Sequence, residues 1–447
     1  MRFQHLFCAL AFFAFGLTTA FSQKSLDAIA TRELPKLLET YKFLHLNPEI
    51  SYQEEKTAAL LAQRLRTLGF EVTERFGKYA EPSRTSYGIV AVMKNGNGPT
   101  VLVRTDLDAL PVEEKTGLPY ASTMKTKDDA GREVSVMHAC GHDIHMTSFL
   151  GAATILSELK NQWRGTLIMI GQPCEERGAG AKAMLNGGLY TTFPRPDYIL
   201  ALHDNASMAA GSVGVCEGFA LASVTSVDVT VRGVGGHGAY PQTTKDPVVL
   251  ASQIVLALQT IVSRENSPLD PAVVTVGSIH GGTKHNIIPD EVRLQITVRA
   301  YKEDVRQKIL ASIERIVKGI AAAAGIPSDR MPIVSVDTSE FTASTYNNPE
   351  FTRRVARSFE SVLGKENVMK VDPVMGGEDF GAFSLDDKIP LSIYWLGAVQ
   401  PARVAQSLKD GVSLPSLHSS QFAPDPEPTI RTGMKATAAA VMDLLKK

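Results

Sequence analysis

A chain of 447 residues exceeds what one hydrophobic core organises and implies two or three domains. Apolar residues at 44% and charged residues at 21% are globular proportions and exclude extended disorder. With 46 basic against 47 acidic residues and no basic block, the chain has no electrostatic footprint for nucleic acid or an anionic membrane, so function has to be read from local constellations.

In chain order, the first element is a leader. Met1-Arg2 gives a positive start, residues 6–17 form an apolar run, and Thr18-Thr19-Ala20 supplies small residues. This is the pattern of a signal peptide over residues 1–22, with an exported chain, periplasmic or secreted, after cleavage. The run is too short to span a bilayer, and no later stretch is expected to reach about 18 apolar residues, so no membrane span is expected in the mature chain. Beyond the leader remain Cys140, Cys174 and Cys216, an odd set that suggests no disulfide framework and leaves a thiol for a soft metal.

From 34 to 68 the apolar residues recur at three- and four-residue spacing, which predicts helix, divided at Asn47-Pro48 and stopped by Gly69. Nearly continuous apolar runs at 88–93, 100–104, 166–170 and 198–202 read as strands buried on both faces of a parallel sheet. Met146, Phe149, Leu150, Ala153, Leu156 and Leu159 mark a helix between the second and third of these. The texture changes near Ala220: residues 224–231 alternate apolar and polar, as an antiparallel strand with one wet face does. A helix over 247–263, strands at 272–279 and 291–300, a helix over 305–324 and a strand at 333–336 complete a β-α-β-β-α-β order. The buried-strand texture returns at 391–397. The expected architecture is an α/β catalytic domain over 23–220 and 337–447, with a mostly parallel sheet and helices on both faces. An α+β ferredoxin-like domain is inserted over 221–336.

The chemistry concentrates at predicted strand ends. Cys140 and His142 stand two apart across a glycine at the start of a helix, where thiolate and imidazole can reach one metal ion; the same pair could also be a Cys–His nucleophile. Asp106 and Asp108 follow a buried strand and suit either a loop hydrogen-bond pair or the orientation of metal ligands. Glu175-Glu176 follow the next strand; adjacent side chains point apart, so one can ligate while the other takes a proton from water. His203 ends a further strand, and His418 lies near the C-terminus. Donors gathered from several strand ends at one sheet edge would satisfy two metal ions about 3.5–4 Å apart.

With Leu44-His45-Leu46-Asn47-Pro48-Glu49, Arg104-Thr105-Asp106-Leu107-Asp108-Ala109-Leu110-Pro111, the residues 138–143 and 172–176, His203 and Gly376-Gly377-Glu378-Asp379-Phe380, the chain resembles the aminoacylase/carboxypeptidase family of dinuclear metallopeptidases. The resemblance is specifically to its hippurate hydrolase and auxin-conjugate amidohydrolase branch. The resemblance implies metal ligands at Cys140, His142, Glu176, His203 and His418, with Cys140 bridging two divalent ions. Zinc or manganese comes first, and the mixed donor set also admits cobalt or nickel. It makes Glu175 the general base that later protonates the leaving amine, with Asp106 and Asp108 behind the ligands. The inserted domain becomes a lid and a homodimer contact. There His237, within Gly235-Gly236-His237-Gly238, approaches the scissile carbonyl, while Asn286 and Arg299 bind the substrate. Cys174 stands where relatives usually carry alanine. The implied reaction is hydrolysis of the amide bond of a small N-acyl amino acid, hippurate-like or N-acetyl, with a dipeptidase or carboxypeptidase acting on short peptides as the second reading.

Overall fold

The computed structural model describes the backbone of residues 4–446 and the side chains of residues 24–446 other than Glu340. The expected leader over 1–22 lies outside the residues whose side chains are described. Helix α1 (Gln4–Leu46) stops before Asn47-Pro48, because proline bars its predecessor from helical geometry, and α2 (Glu55–Thr67) begins after a turn. Strands β1 (Glu71–Phe76), β2 (Gly88–Asn95) and β3 (Thr100–Asp106) precede helix α3 (His142–Glu158). Strands β4 (Gly165–Gln172), β5 (Tyr198–Ala209) and β6 (Val213–Val215) follow. Next come β7 (Ser223–Arg232), α4 (Pro247–Thr260), β8 (Ala272–Gly281), β9 (Glu291–Ala300), α5 (Glu303–Ala323) and β10 (Ile333–Thr342). Helix α6 (Pro349–Leu363), strands β11 (Val368–Lys370) and β12 (Leu391–Val399) and helix α7 (Pro426–Leu444) complete the set.

The chain divides into two compact units. The first comprises Met1–Gly218, Asn347–Val371 and Phe383–Lys447; the second comprises Phe219–Tyr346 and Asp372–Ala382, and so takes in the residues 376–380. The first unit is built on an eight-stranded sheet in the order β1-β2-β4-β3-β5-β12-β6-β11. Strand β3 is parallel to β4 and β5, and β12 is parallel to β5. Strand β2 departs from the parallel expectation, being antiparallel to both β1 and β4. Its residues 88–93 are all buried, and a continuous apolar run reports burial on both faces, not strand direction. One face of the sheet, with Val101, Val103, Leu167, Met169 and Leu200, packs under α1, α2, α3 and α7 through Leu37, Leu61, Phe149, Leu156 and Met434.

The second unit carries a four-stranded antiparallel sheet, β8-β9-β7-β10. On β7 the buried residues Val227, Val229 and Val231 alternate with more exposed ones and pack with Leu250, Ile254 and Leu258 of α4 and Ile309 and Ile313 of α5. Each such side chain contributes about 1.5–3 kcal/mol when fully buried. The stretch Pro247–Glu265 is long and apolar enough to cross a membrane by length and composition, although Ser252, Gln253, Gln259, Thr260 and Ser263 interrupt its apolar residues. Its buried residues, from Leu250 to Ile261, belong to the core of this unit and form one face of the helix, while Val248, Val249 and Leu256 of the same run are exposed.

Candidate metal centre

Because β3, β4 and β5 run parallel, their carboxyl ends open onto one sheet edge, where open α/β sheets place ligands. The register sets Asp106 beside Gln172 at that edge. Helix α3 begins after Gly141, which adopts φ +74°. A Cβ at Gly141 would stand 2.0 Å from Asp204 Oδ2, so glycine is needed for Cys140 and His142 to flank so tight a turn.

The expected ligands converge. Cys140 Sγ lies 3.2 Å from His418 Nε2 and 3.6 Å from His203 Nε2. The donor atoms of Cys140, His142 and His203 fall within 4.8 Å of one another, as do those of Cys140, Glu176 and His418 and those of His142, Glu175 and Glu176. The thiol thus belongs to two donor sets. His142 Nδ1 lies 2.7 Å from the Asp108 carbonyl oxygen and His203 Nδ1 lies 2.8 Å from that of Asp204. A carbonyl oxygen only accepts, so each Nδ1 donates and each Nε2 keeps its lone pair for the cluster.

His142 Nε2 tests whether a metal fits. It is buried without a hydrogen-bond partner among the described residues, and its neighbours are Asp106 Oδ2 at 3.6 Å, Glu176 Oε1 at 3.8 Å and Glu175 Oε2 at 3.9 Å. These separations exceed hydrogen-bond length but suit donors that share a cation. Burial, and then the charges of Glu176 and Glu175, pushes the Cys140 thiol well above its ordinary range. Burial also lowers the His142 imidazole, the direction opposite to that of an imidazolium paired with a thiolate. A neutral imidazole and a thiol that ionises only beside a cation are what a metal site needs. Burial, and next the His142 and His203 rings, lowers His418 in the same sense.

The two aspartates act separately. Asp106 accepts Arg104 Nη1 at 2.6 Å on Oδ2 and pairs with His145 Nδ1 at 2.8 Å on Oδ1. Burial alone would raise this carboxyl, but His142, His145 and Arg104 outweigh it and hold it well below the usual range. Asp108 shapes the loop after β4: Oδ1 takes the Glu175 amide and Oδ2 the Glu176 amide, both at 3.0 Å, and Ser51 Oγ donates to Oδ2 at 2.6 Å. Sequence reading passes over His145 and Asp204. His145 lies three residues beyond His142, hence on the same face of α3, and that spacing was an available signal. Its Nε2 lies 2.9 Å from the Asp204 amide. Asp204 offered no signal beyond adjacency to His203.

The remaining expected residues lie in the second unit. A short ladder pairs Gly236 with Ile288 and His237 with Ile287, and the Gly238 amide donates to the Asn286 carbonyl at 2.9 Å, so His237 and Asn286 share one loop cluster. His237 Nδ1 accepts the Ala239 amide at 3.0 Å, which leaves Nε2 as the N–H donor. Near the end of β9, Arg299 Nε donates to Thr297 Oγ1 at 3.1 Å, and the guanidinium makes no ion pair among the described residues. A Cβ at Gly377 would come within 3.1 Å of Arg299 Nη1 and 2.1 Å of Val224 Cγ2, which explains a glycine there.

Residues 102–418 match the model of peptidase family M20/M25/M40. Thermostable carboxypeptidase 2 of Saccharolobus solfataricus is 34% identical over 413 residues, covering 92% of this chain and 96% of that relative. Hippurate hydrolase of Campylobacter jejuni is 37% identical over 342 residues, 76% of this chain and 82% of the relative. Among solved structures, the YxeP protein of Bacillus subtilis, a dinuclear metal binding peptidase from the M20 family, shares 26% identity at a TM-score of 0.68, covering 93% of this chain and 98% of that one.

Proposed function

This chain belongs to peptidase family M20/M25/M40 and is a metallo-hydrolase acting on amide or peptide bonds; from that premise we propose that its substrates are N-acyl amino acids, hippurate-like or N-acetylated. The Cys140 thiol shared by two donor sets, with the Glu175 carboxylate at their margin, carries the metallo-hydrolase reading, and the hippurate hydrolase relative supports the N-acyl substrate class. Cys140, His142, Glu176, His203 and His418 would hold two divalent ions, zinc or manganese foremost with cobalt and nickel compatible, which supply Lewis-acid polarisation of the scissile carbonyl and make nearby water more acidic.

The protein groups do the rest. Glu175, its amide fixed by Asp108, takes a proton from the attacking water and returns it to the leaving amine. His237 offers its Nε2–H to the developing oxyanion. Arg299, with Asn286, receives the free carboxylate of the substrate, a role supported by a half-buried guanidinium that has no acidic partner among the described residues. A carboxypeptidase or dipeptidase acting on short peptides is the second reading, favoured by the Saccharolobus relative and equally served by a carboxylate-binding arginine. The reading extends to export after removal of residues 1–22, supported by the leader pattern. It also includes a homodimer through the second unit, supported by the exposed Val249 and Leu256 on α4.

The test is kcat/KM on hippurate, on N-acetyl amino acids and on the matching free dipeptides, before and after chelation. Turnover should vanish with the metal and return with zinc or manganese, and N-acyl substrates should lead by at least about tenfold. Equal kcat/KM on a dipeptide and its N-acetyl counterpart overturns the N-acyl preference.

A further inference from the structure

The segment before α2 contains a carboxyl that the chemistry described so far does not use. Glu54 occupies the N-cap position of α2, yet its side chain makes no capping bond. Glu49 does that work instead, its Oε2 accepting the Thr57 amide at 2.8 Å and the Thr57 hydroxyl at 2.9 Å. Glu54 is 0% exposed and reaches across to the loop after β4, where Oε1 accepts the Cys174 amide at 2.8 Å. Its second oxygen has no hydrogen-bond partner among the described residues.

Cys174 is the residue immediately before Glu175, and it sits at φ +55°. For a residue with a side chain, the left-handed conformation costs about 1–2 kcal/mol and needs something to hold it. Tyr52, two residues before Glu54, is also left-handed at φ +70°, and its hydroxyl interacts with the Cys174 side chain. The Cys174 carbonyl accepts the Gly180 amide at 3.1 Å, which closes the turn from the other side. A Cβ at Gly180 would lie 1.6 Å from the Pro173 carbonyl oxygen, so the turn is tight throughout. Residues 51–54 therefore grip residues 174–176 twice, through Glu54 on the Cys174 amide and through Ser51 on Asp108, which holds the next two amides.

We propose that Glu54 is a positioning residue for the general base: by holding the Cys174 amide it fixes the left-handed turn that aims the Glu175 carboxylate. The proposal rests on Glu175 being the base. A purely structural role accounts poorly for the residue, because a buried carboxyl with an unpartnered oxygen is a costly way to fill space that leucine or methionine fills without desolvation. Burial, and next the charge of Asp108, pushes the Glu54 carboxyl up to about 8. Glutamine, which keeps a carbonyl oxygen for the Cys174 amide, is a near isostere.

The experiment compares Glu54→Ala, Glu54→Gln, Cys174→Val and the double variant Glu54→Ala/Cys174→Gly by steady-state kinetics on hippurate, first with the metal each protein retains and then with excess zinc, with metal content and thermal unfolding measured alongside. Glu54→Ala should lower kcat about 100-fold, the scale of a misplacement near 1 Å, while KM moves less than about threefold. Glu54→Gln should recover at least about tenfold of that loss, since the acceptor is restored. Adding Cys174→Gly to Glu54→Ala should also raise kcat several-fold, because glycine enters the left-handed region without being held there. If Glu54→Ala does not fold, Cys174→Val supplies the same test with Glu54 in place, since a β-branched residue resists positive φ and should lower kcat in its turn. A folded Glu54→Ala with wild-type kcat overturns the proposal. So does a loss that excess zinc restores, which would place the effect on the metal, or a glutamine variant no better than alanine. Glu175→Gln serves as the control: if it turns over like wild type, the base assignment itself falls and the positioning role falls with it, whereas its inactivity beside an unaffected Glu54→Ala overturns only the latter.

Discussion

His45 should make the first unit less stable as pH rises through the alkaline range. The ring is 1% exposed and bridges two buried carboxylates, Asp143 Oδ2 at 2.7 Å from Nδ1 and Glu114 Oε1 at 3.1 Å from Nε2. It thereby ties the last turn of α1 to the first turn of α3, next to His142. Burial by itself drives the imidazolium toward losing its proton, but the hydrogen bonds and charges of Asp143 and Glu114 outweigh it and lift the ring to about 10. The folded value lies above the unfolded one of about 6.5, so the contribution is fully present below pH 6.5 and disappears as pH climbs through about 10. The shift corresponds to about 5 kcal/mol, lost at about 1.4 kcal/mol per pH unit within that window. Replacing His45 by glutamine leaves two buried carboxylates without their cation, a loss of about 3–5 kcal/mol near neutrality. Urea unfolding of wild type and His45→Gln at pH 6.5, 7.5, 8.5 and 9.5, at one fixed metal concentration, measures the gap between them. The gap should be widest at pH 6.5 and shrink by about 4 kcal/mol by pH 9.5. A gap that stays constant across the window refutes an imidazolium at this position.

Three further outcomes follow from the metal centre. Glu175→Gln should retain its metal complement by elemental analysis yet lose about 10²–10⁴ in kcat, the usual contribution of an acid–base group. Asp108→Asn keeps one acceptor but loses the other, so one of the Glu175 and Glu176 amides is released; activity or metal affinity should fall about 10–100-fold, as read by kinetics and metal titration. Gly141→Ala forces a Cβ against the Asp204 carboxylate at a positive φ, and should both lower the unfolding temperature and weaken metal binding, whereas an unchanged metal titration would argue against the turn as the element that presents Cys140 and His142.

Much of this molecule can be read from local sequence. The division of the first helical stretch at Asn47-Pro48 follows from proline sterics, and the alternation of Val227, Val229 and Val231 marks a strand with one wet face. The donors Cys140, His142, Glu175, Glu176 and His203 declare themselves because each ends a buried run or opens a helix, where a polar residue stands out. Strand direction in β2 does not, since an apolar run carries information about burial and none about which way its neighbours point. Nor does Glu54, whose neighbour Glu55 is exposed on the first turn of α2: by composition the pair reads as solvated surface, and only the folded chain separates the two.

The sequence alone determined the chemical inventory and the α/β class, because side-chain type and hydrophobic period are local properties of the chain. The tertiary structure decided which groups meet. Parallel pairing of β3, β4 and β5 brings residues as distant as Asp108 and Glu176 within hydrogen-bond range, and His418 reaches the Cys140 thiol from 278 residues away. It also decided protonation, since the pull on His45, Glu54 and Cys140 comes from burial and from charges that become neighbours only when the sheet edge assembles.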